Sequence, residues 1–185
     1  MIAQQLKEKM LDLSRKVLEN EIRHTDHDLS DYNIPPFEEK RGLFVSLHKK
    51  GKLRGCIGRL EAEKSIYQNV IDLSKAAAFE DHRFQNLTAR ELDQVKIEIS
   101  LLSKPEEVGG KTTIEKIEKI RPNKDGVILS DGRRNATFLP QVWETVPLKE
   151  DFISELCRKA GLPGDYWQEN PLNLSTYQVE HFEEE

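Results

Sequence analysis

The sequence predicts a compact domain that mixes amphipathic helices with hairpin-connected strands, and three observations carry that prediction. Val95-Lys96-Ile97-Glu98-Ile99-Ser100-Leu101 alternates strictly, the pattern of a strand buried on one face. Leu43-Phe44-Val45-Ser46-Leu47 and Leu53-Arg54-Gly55-Cys56-Ile57-Gly58 flank the turn Lys49-Lys50-Gly51-Lys52, which reads as a hairpin. Ile2, Leu6, Met10, Leu13 and Val17 recur at helical spacing among Lys, Glu and Arg.

A chain of 185 residues suits one compact unit. With 33% charged and 37% hydrophobic residues, and no run near the roughly 20 apolar residues of a spanning helix, no membrane role is expected. The N-terminus lacks the apolar stretch of a signal peptide, so the expected location is cytoplasmic. A net charge of -5 argues against a broad nucleic-acid footprint. Cys56 and Cys157 are expected as two free thiols, and neither sits in a CxxC pair, so no zinc motif is indicated and no residues are assigned to a metal. The cofactor, if one is used, stays unknown at this level.

Each element follows in order. The first helix covers residues 2 to 20, and the polar stretch Arg23 to Asp28 carries His24 and His27 beside Asp26 and Asp28, read as a solvated connector. Tyr32 to Glu39, with Pro35-Pro36, is an extended loop. Ser65 with Gln68 resembles a capping box opening a helix through Ile66, Val70, Leu73 and Ala77. A dense loop, Phe79-Glu80-Asp81-His82-Arg83-Phe84, follows, and Thr88 with Glu91 forms a second capping box before the alternating strand. Thr113 to Ile120 is ambiguous, helical at first and then strand-like. Turn signals at Asn123 to Gly126 and Asp131-Gly132 frame Val127 to Leu129, with Ala136 to Leu139 as neighbour in a three-stranded meander. Phe152, Ile153, Leu156 and Ala160 define a helix ended by Gly161 and Pro163, and Thr176 to Phe182 is a last strand before an acidic tail.

The chemistry gathers around Cys56. A thiolate, not a thiol, is the nucleophile, and a nearby cation favours it; strand alternation puts Arg54 and Cys56 on one face. Gly55 and Gly58 bracket the cysteine, and glycine within a strand marks a bulge or the close approach of a backbone or ligand. Asp81 or His82 would handle protons, while Ser46, Arg83, Glu98 and Ser100 are candidates to line a ligand site. In one hairpin register Arg54 and Cys56 face Ser46 and Phe44; in the other they face Leu47 and Val45. The first is preferred, because the second buries an arginine among aliphatics. Two functions stay open: an enzyme or enzyme-associated subunit using the Cys56 thiol, and a non-catalytic module holding a small anionic ligand, a nucleotide or a partner segment. Cys157 is read as core packing.

Gly42 to Leu47, Leu53 to Gly58, Asp81-His82-Arg83-Phe84, Glu98 to Glu106, Asp125-Gly126-Val127, Leu139 to Val142 and Lys159 to Pro163 together resemble the AMMECR family, whose prokaryotic members are protein A of the AmmeMemoRadiSam set. The resemblance runs from about residue 40 to the C-terminus, so residues 1–185 read as one domain, with 1–40 as N-terminal helix and connector and 41–185 as family core. It departs where His82 stands in place of the family's proline, and again between Val142 and Leu148. It implies an α+β fold with a barrel-like mixed sheet of repeated strand-helix units, in a larger and a smaller subdomain with a cleft between them. It also implies association with a Memo-like and a radical-SAM protein, and by itself no reaction.

Overall fold

The structure is a computed structural model that describes residues 2–60 and 63–185. Helix α1 (Gln4–Arg23) leads through a 3-10 turn (Ser30–Tyr32) and α2 (Pro35–Glu38) to the hairpin β1 (Leu43–Lys49) and β2 (Lys52–Arg59). Then come α3 (Ile66–Phe79), α4 (Ala89–Leu92), β3 (Val95–Leu102), β4 (Glu106–Glu107), α5 (Thr113–Lys119), β5 (Gly126–Ser130) and β6 (Asn135–Phe138). A second 3-10 turn (Pro140–Glu144), α6 (Lys149–Lys159), α7 (Tyr166–Glu169), β7 (Asn173–Tyr177) and β8 (Val179–Glu183) complete the chain. No helix among the described residues is long and apolar enough to cross a membrane.

The α+β class holds, with the strands divided between two open four-stranded sheets, ordered β2-β1-β3-β8 and β4-β7-β5-β6, in place of one barrel-like sheet. The sheets follow a division of the chain into two compact units, one built from residues up to Leu102 with Glu180–Glu185, the other from Ser103–Val179. The run expected as a single last strand is two strands, and Gln178 separates them. There the backbone leaves one ladder for the other, its amide donating to Ser103 Oγ (2.9 Å) and its carbonyl accepting from Ser103 N (2.8 Å).

In the first unit, α1 and α3 cover one face of the sheet. Leu13 and Val17 from α1 and Val70, Leu73 and Ala77 from α3 join Val45, Leu47, Ile97 and Ile99 in one buried cluster. The helix starts where its cap says it should: Ser65 Oγ accepts from Gln68 N at 3.2 Å. Burying those positions turns the alternate residues of the strands outward. Phe44, Ser46 and His48 on β1 pair with Ser100, Glu98 and Lys96 on β3, so these six residues share the face opposite the helices. The hairpin closes with Lys50 at φ 52° and Gly51 at φ 74°, the positive pair that a two-residue turn of matching twist requires.

In the second unit, the expected meander is replaced. β5 pairs with β6 as predicted, but its other neighbour is β7, from nearly fifty residues along the chain. The segment before β5 supplies no strand because Thr112 caps a helix there, its Oγ1 accepting from Glu115 N at 3.2 Å. Trp143 stacks on Phe152 at 3.6 Å with Phe138 edge-on at 5.3 Å, and Trp143 Nε1 donates to Asp125 O at 2.7 Å. Helix α6 ends as its glycine predicts: Gly161 has φ 76°, its amide donates to Arg158 O, and Leu162 N reaches Cys157 O at 2.9 Å.

Candidate functional site

Cys56 lies on β2, the outer strand of the first sheet, directly opposite Ser46. Ser46 Oγ donates to Cys56 Sγ at 3.2 Å, and the thiol is half-buried. Being on an edge strand, Cys56 turns its amide and carbonyl away from β1, and the loop after α3 meets both. Asp81 Oδ2 accepts from Cys56 N at 2.8 Å, while Arg83 Nη2 donates to Cys56 O at 3.3 Å. The two loop residues are themselves joined, Arg83 Nε to Asp81 Oδ1 at 2.9 Å and Nη2 to Oδ2 at 2.7 Å. An acid and a guanidinium thus stand in for the missing strand and hold the cysteine backbone in place.

Electrostatics assigns the loop its roles. Arg83 above all, then the Cys56 amide, holds the Asp81 carboxyl far below its ordinary range despite the opposing effect of burial. Asp81 is therefore ionised near neutrality, and its carboxylate anchors both the Cys56 amide and the Arg83 guanidinium. Arg83 in turn holds its proton more firmly, chiefly through Asp81 and in part through the facing Cys56 sulfur. The neighbouring His82 is exposed at the corner of a turn that Phe84 N closes on Asp81 O at 3.0 Å, so the turn forms with histidine where the family has proline.

Arg54 takes a different course from the one strand alternation predicts. Leu47 pairs with Gly55 and His48 with Leu53, so Arg54 is the extra residue of a β-bulge and lies opposite neither Ser46 nor Phe44. Its guanidinium goes to Glu91, Nε to Oε1 at 3.2 Å and Nη2 to Oε2 at 3.1 Å, and lies 5.9 Å from the Phe84 ring centroid. Lys49 Nζ reaches the same carboxylate at 2.9 Å. These two cations, Arg54 first, hold the Glu91 carboxyl down at about 2. The cation beside the thiol is accordingly Arg83.

Both glycines have packing reasons. A Cβ on Gly55 would lie 2.1 Å from the Ala77 carbonyl oxygen of α3, and one on Gly58 would lie 2.0 Å from the Phe44 ring. Glu98 faces Ser46 from β3, and Ser100 Oγ meets His181 Nδ1 at 2.8 Å, with Glu98 Oε1 3.8 Å from that nitrogen. The sequence reading missed Glu91, seen only as a helix cap, and His181, which no local pattern separates from a strand residue. Cys157 is fully buried in the second unit, and burial pushes its thiol up. His27 is engaged with Glu19 at 3.0 Å, and His24 occupies the left-handed position that ends α1.

A family model, AMMECR1, matches residues 11–182. This chain belongs to the AMMECR1 family. Among its AMMECR1 relatives, a protein of Saccharolobus islandicus is 35% identical over 178 residues, which is 91% of this chain and 77% of that protein. A protein of Methanothermobacter thermautotrophicus is 32% identical over 182 residues, 95% of this chain and 93% of the other. The crystal structure of an uncharacterized protein from Pyrococcus horikoshii aligns with a TM-score of 0.78 and 30% identity, covering 100% of this chain and 94% of that one. The AMMECR1 match begins inside α1, consistent with the packing of Leu13 and Val17 in the core of the first unit.

Proposed function

We propose that this AMMECR1 protein is an enzyme, or the thiol-bearing subunit of one, whose reactive group is Cys56 Sγ. The observation that carries the reading is the environment of that sulfur: half-exposed, accepting from Ser46 at 3.2 Å, on a backbone held by the Asp81-Arg83 pair. The Ser46 hydroxyl lies against the sulfur, the Arg83 guanidinium is fixed beside it, and the held backbone keeps the nucleophile in one position. The sulfur would add to an electrophilic carbon, or attack one sulfur of a disulfide and release the other as a thiolate, its own proton leaving to solvent. The alternative, a non-catalytic module that grips an anion through Arg54, is less well supported, because Glu91 already neutralises that guanidinium. We further propose a cytoplasmic protein with Memo-like and radical-SAM proteins as partners, the partners being what the family resemblance suggests, and reciprocal co-purification from a native host tests this.

Timed iodoacetamide labelling at neutral pH, read by peptide mass spectrometry, tests the thiol. Cys56 should label faster than the same cysteine in the denatured chain, with buried Cys157 spared, and Ser46→Ala and Arg83→Gln should each slow it. Labelling at the denatured rate, unaffected by either variant, would refute the proposal.

A further inference from the structure

The face of the first sheet that carries Cys56 holds a second group of side chains, near the hairpin turn. His48 comes from β1, Glu98 from β3 and Glu183 from β8. One donor atom from each lies within 4.8 Å of the other two. The three border a hollow of about 580 Å³ together with Lys50 and Lys96. We propose that His48, Glu98 and Glu183 bind a divalent first-row transition cation.

Three features distinguish this group from an acidic surface patch. The donor set is mixed: an imidazole nitrogen with two carboxylates suits zinc, cobalt, iron or manganese, whereas magnesium and calcium sites are built from oxygen alone. The ligands also come from three strands, and β1 and β3 run in unbroken register with His48 opposite Lys96 and Ser46 opposite Glu98. His48 and Glu98 are therefore diagonal neighbours on one face, the spacing at which long side chains meet. The ladder fixes their backbones before any ion arrives. Finally, the charges suit a cation: two glutamates balance two lysines, so the ion enters a hollow with no net positive charge.

The geometry asks for little movement. Metal–ligand bonds of about 2.0–2.2 Å set tetrahedral donors roughly 3.5 Å apart, so separations up to 4.8 Å close by side-chain rotation alone. Three protein donors leave one coordination position open, as catalytic rather than purely structural sites do. Glu98 also faces Ser46, the residue that donates to Cys56 Sγ, so the ion would sit two strands, roughly 10 Å, from the cysteine backbone. The cation site does not depend on the thiol being reactive.

Cobalt(II) titration of the full chain, followed by visible absorption and equilibrium dialysis, tests the proposal. One ion should bind per chain, with a d–d band and no thiolate charge-transfer band. His48→Ala, Glu98→Gln and Glu183→Gln should each weaken binding by more than the roughly 10–100-fold that losing an outer-shell partner costs. Cys56→Ser and His27→Ala should bind as the parent does, with urea midpoints confirming that every variant is folded. Glu183 is exposed, so its variant remains informative if a strand substitution disturbs folding. Binding weaker than millimolar, binding indifferent to all three ligand variants, or a charge-transfer band that disappears in Cys56→Ser would each overturn the assignment.

Discussion

Gly55→Ala tests whether the glycine before the cysteine is there for packing or for a ligand. The new methyl would approach the Ala77 carbonyl oxygen to 2.1 Å, about 1.3 Å short of the 3.4 Å at which ordinary contact begins. The obstacle is helix backbone, not the tip of a mobile side chain, so α3 or the edge of the hairpin has to move. Overpacking on this scale costs about 3 kcal/mol. The alanine returns about 0.4–1 kcal/mol by restricting the unfolded chain. The net loss is then about 2–3 kcal/mol, and with a urea slope of about 2 kcal/mol/M the midpoint falls by about 1 M or more. Urea titration by far-UV circular dichroism gives the number directly. A variant with the parent's midpoint would show that α3 does not pack on this position as described, and would leave ligand access as the reason for the glycine.

Three further predictions concern the loop and the second thiol. Asp81→Ala removes the acceptor from the Cys56 amide and should cost about 1–2 kcal/mol in the same assay. The folded-state pKa of Asp81 is depressed, so its stabilisation is present above the unfolded carboxyl value near about 4 and is lost as pH falls through the much lower folded value. An acid titration of stability should accordingly be flatter in Asp81→Asn than in the parent, and identical acid limbs would contradict the loop's ionic arrangement. Cys157→Ser should cost about 1–3 kcal/mol by placing a hydroxyl in an apolar interior, seen as a lower melting temperature, while Cys56 labelling stays unchanged.

Local chemistry read correctly wherever one stretch of chain settles its own structure. Ser65, Thr88 and Gly161 mark helix ends because a cap bonds within three or four residues of itself, and Lys50-Gly51 closes its hairpin by backbone conformation alone. That Cys56 shares a face with Ser46 and Phe44 was legible for a related reason: a slip of one residue would set it among the core residues Val45 and Leu47, whereas the choice of Ser46 over Phe44 as its partner was not. The bulge at Arg54 was not legible, since nothing in Leu53-Arg54-Gly55 reveals that α3 presses on Gly55 or that Glu91 draws the guanidinium away.

What the sequence determined unaided is the longer helices and the central hairpin and strand, their buried faces and the thiol at the middle of the hairpin, all consequences of periodicity and turn stereochemistry; the short helix Pro35–Glu38, read as an extended loop, and the break at Gln178 were not among them. Tertiary structure decided which strands share a sheet and which charges meet: β7 beside β5, Asp81 and Arg83 along the free edge of Cys56, His48 near Glu98 and Glu183. Those contacts join residues up to 135 positions apart, and their geometry depends on how buried surfaces stack, which no neighbouring residue encodes.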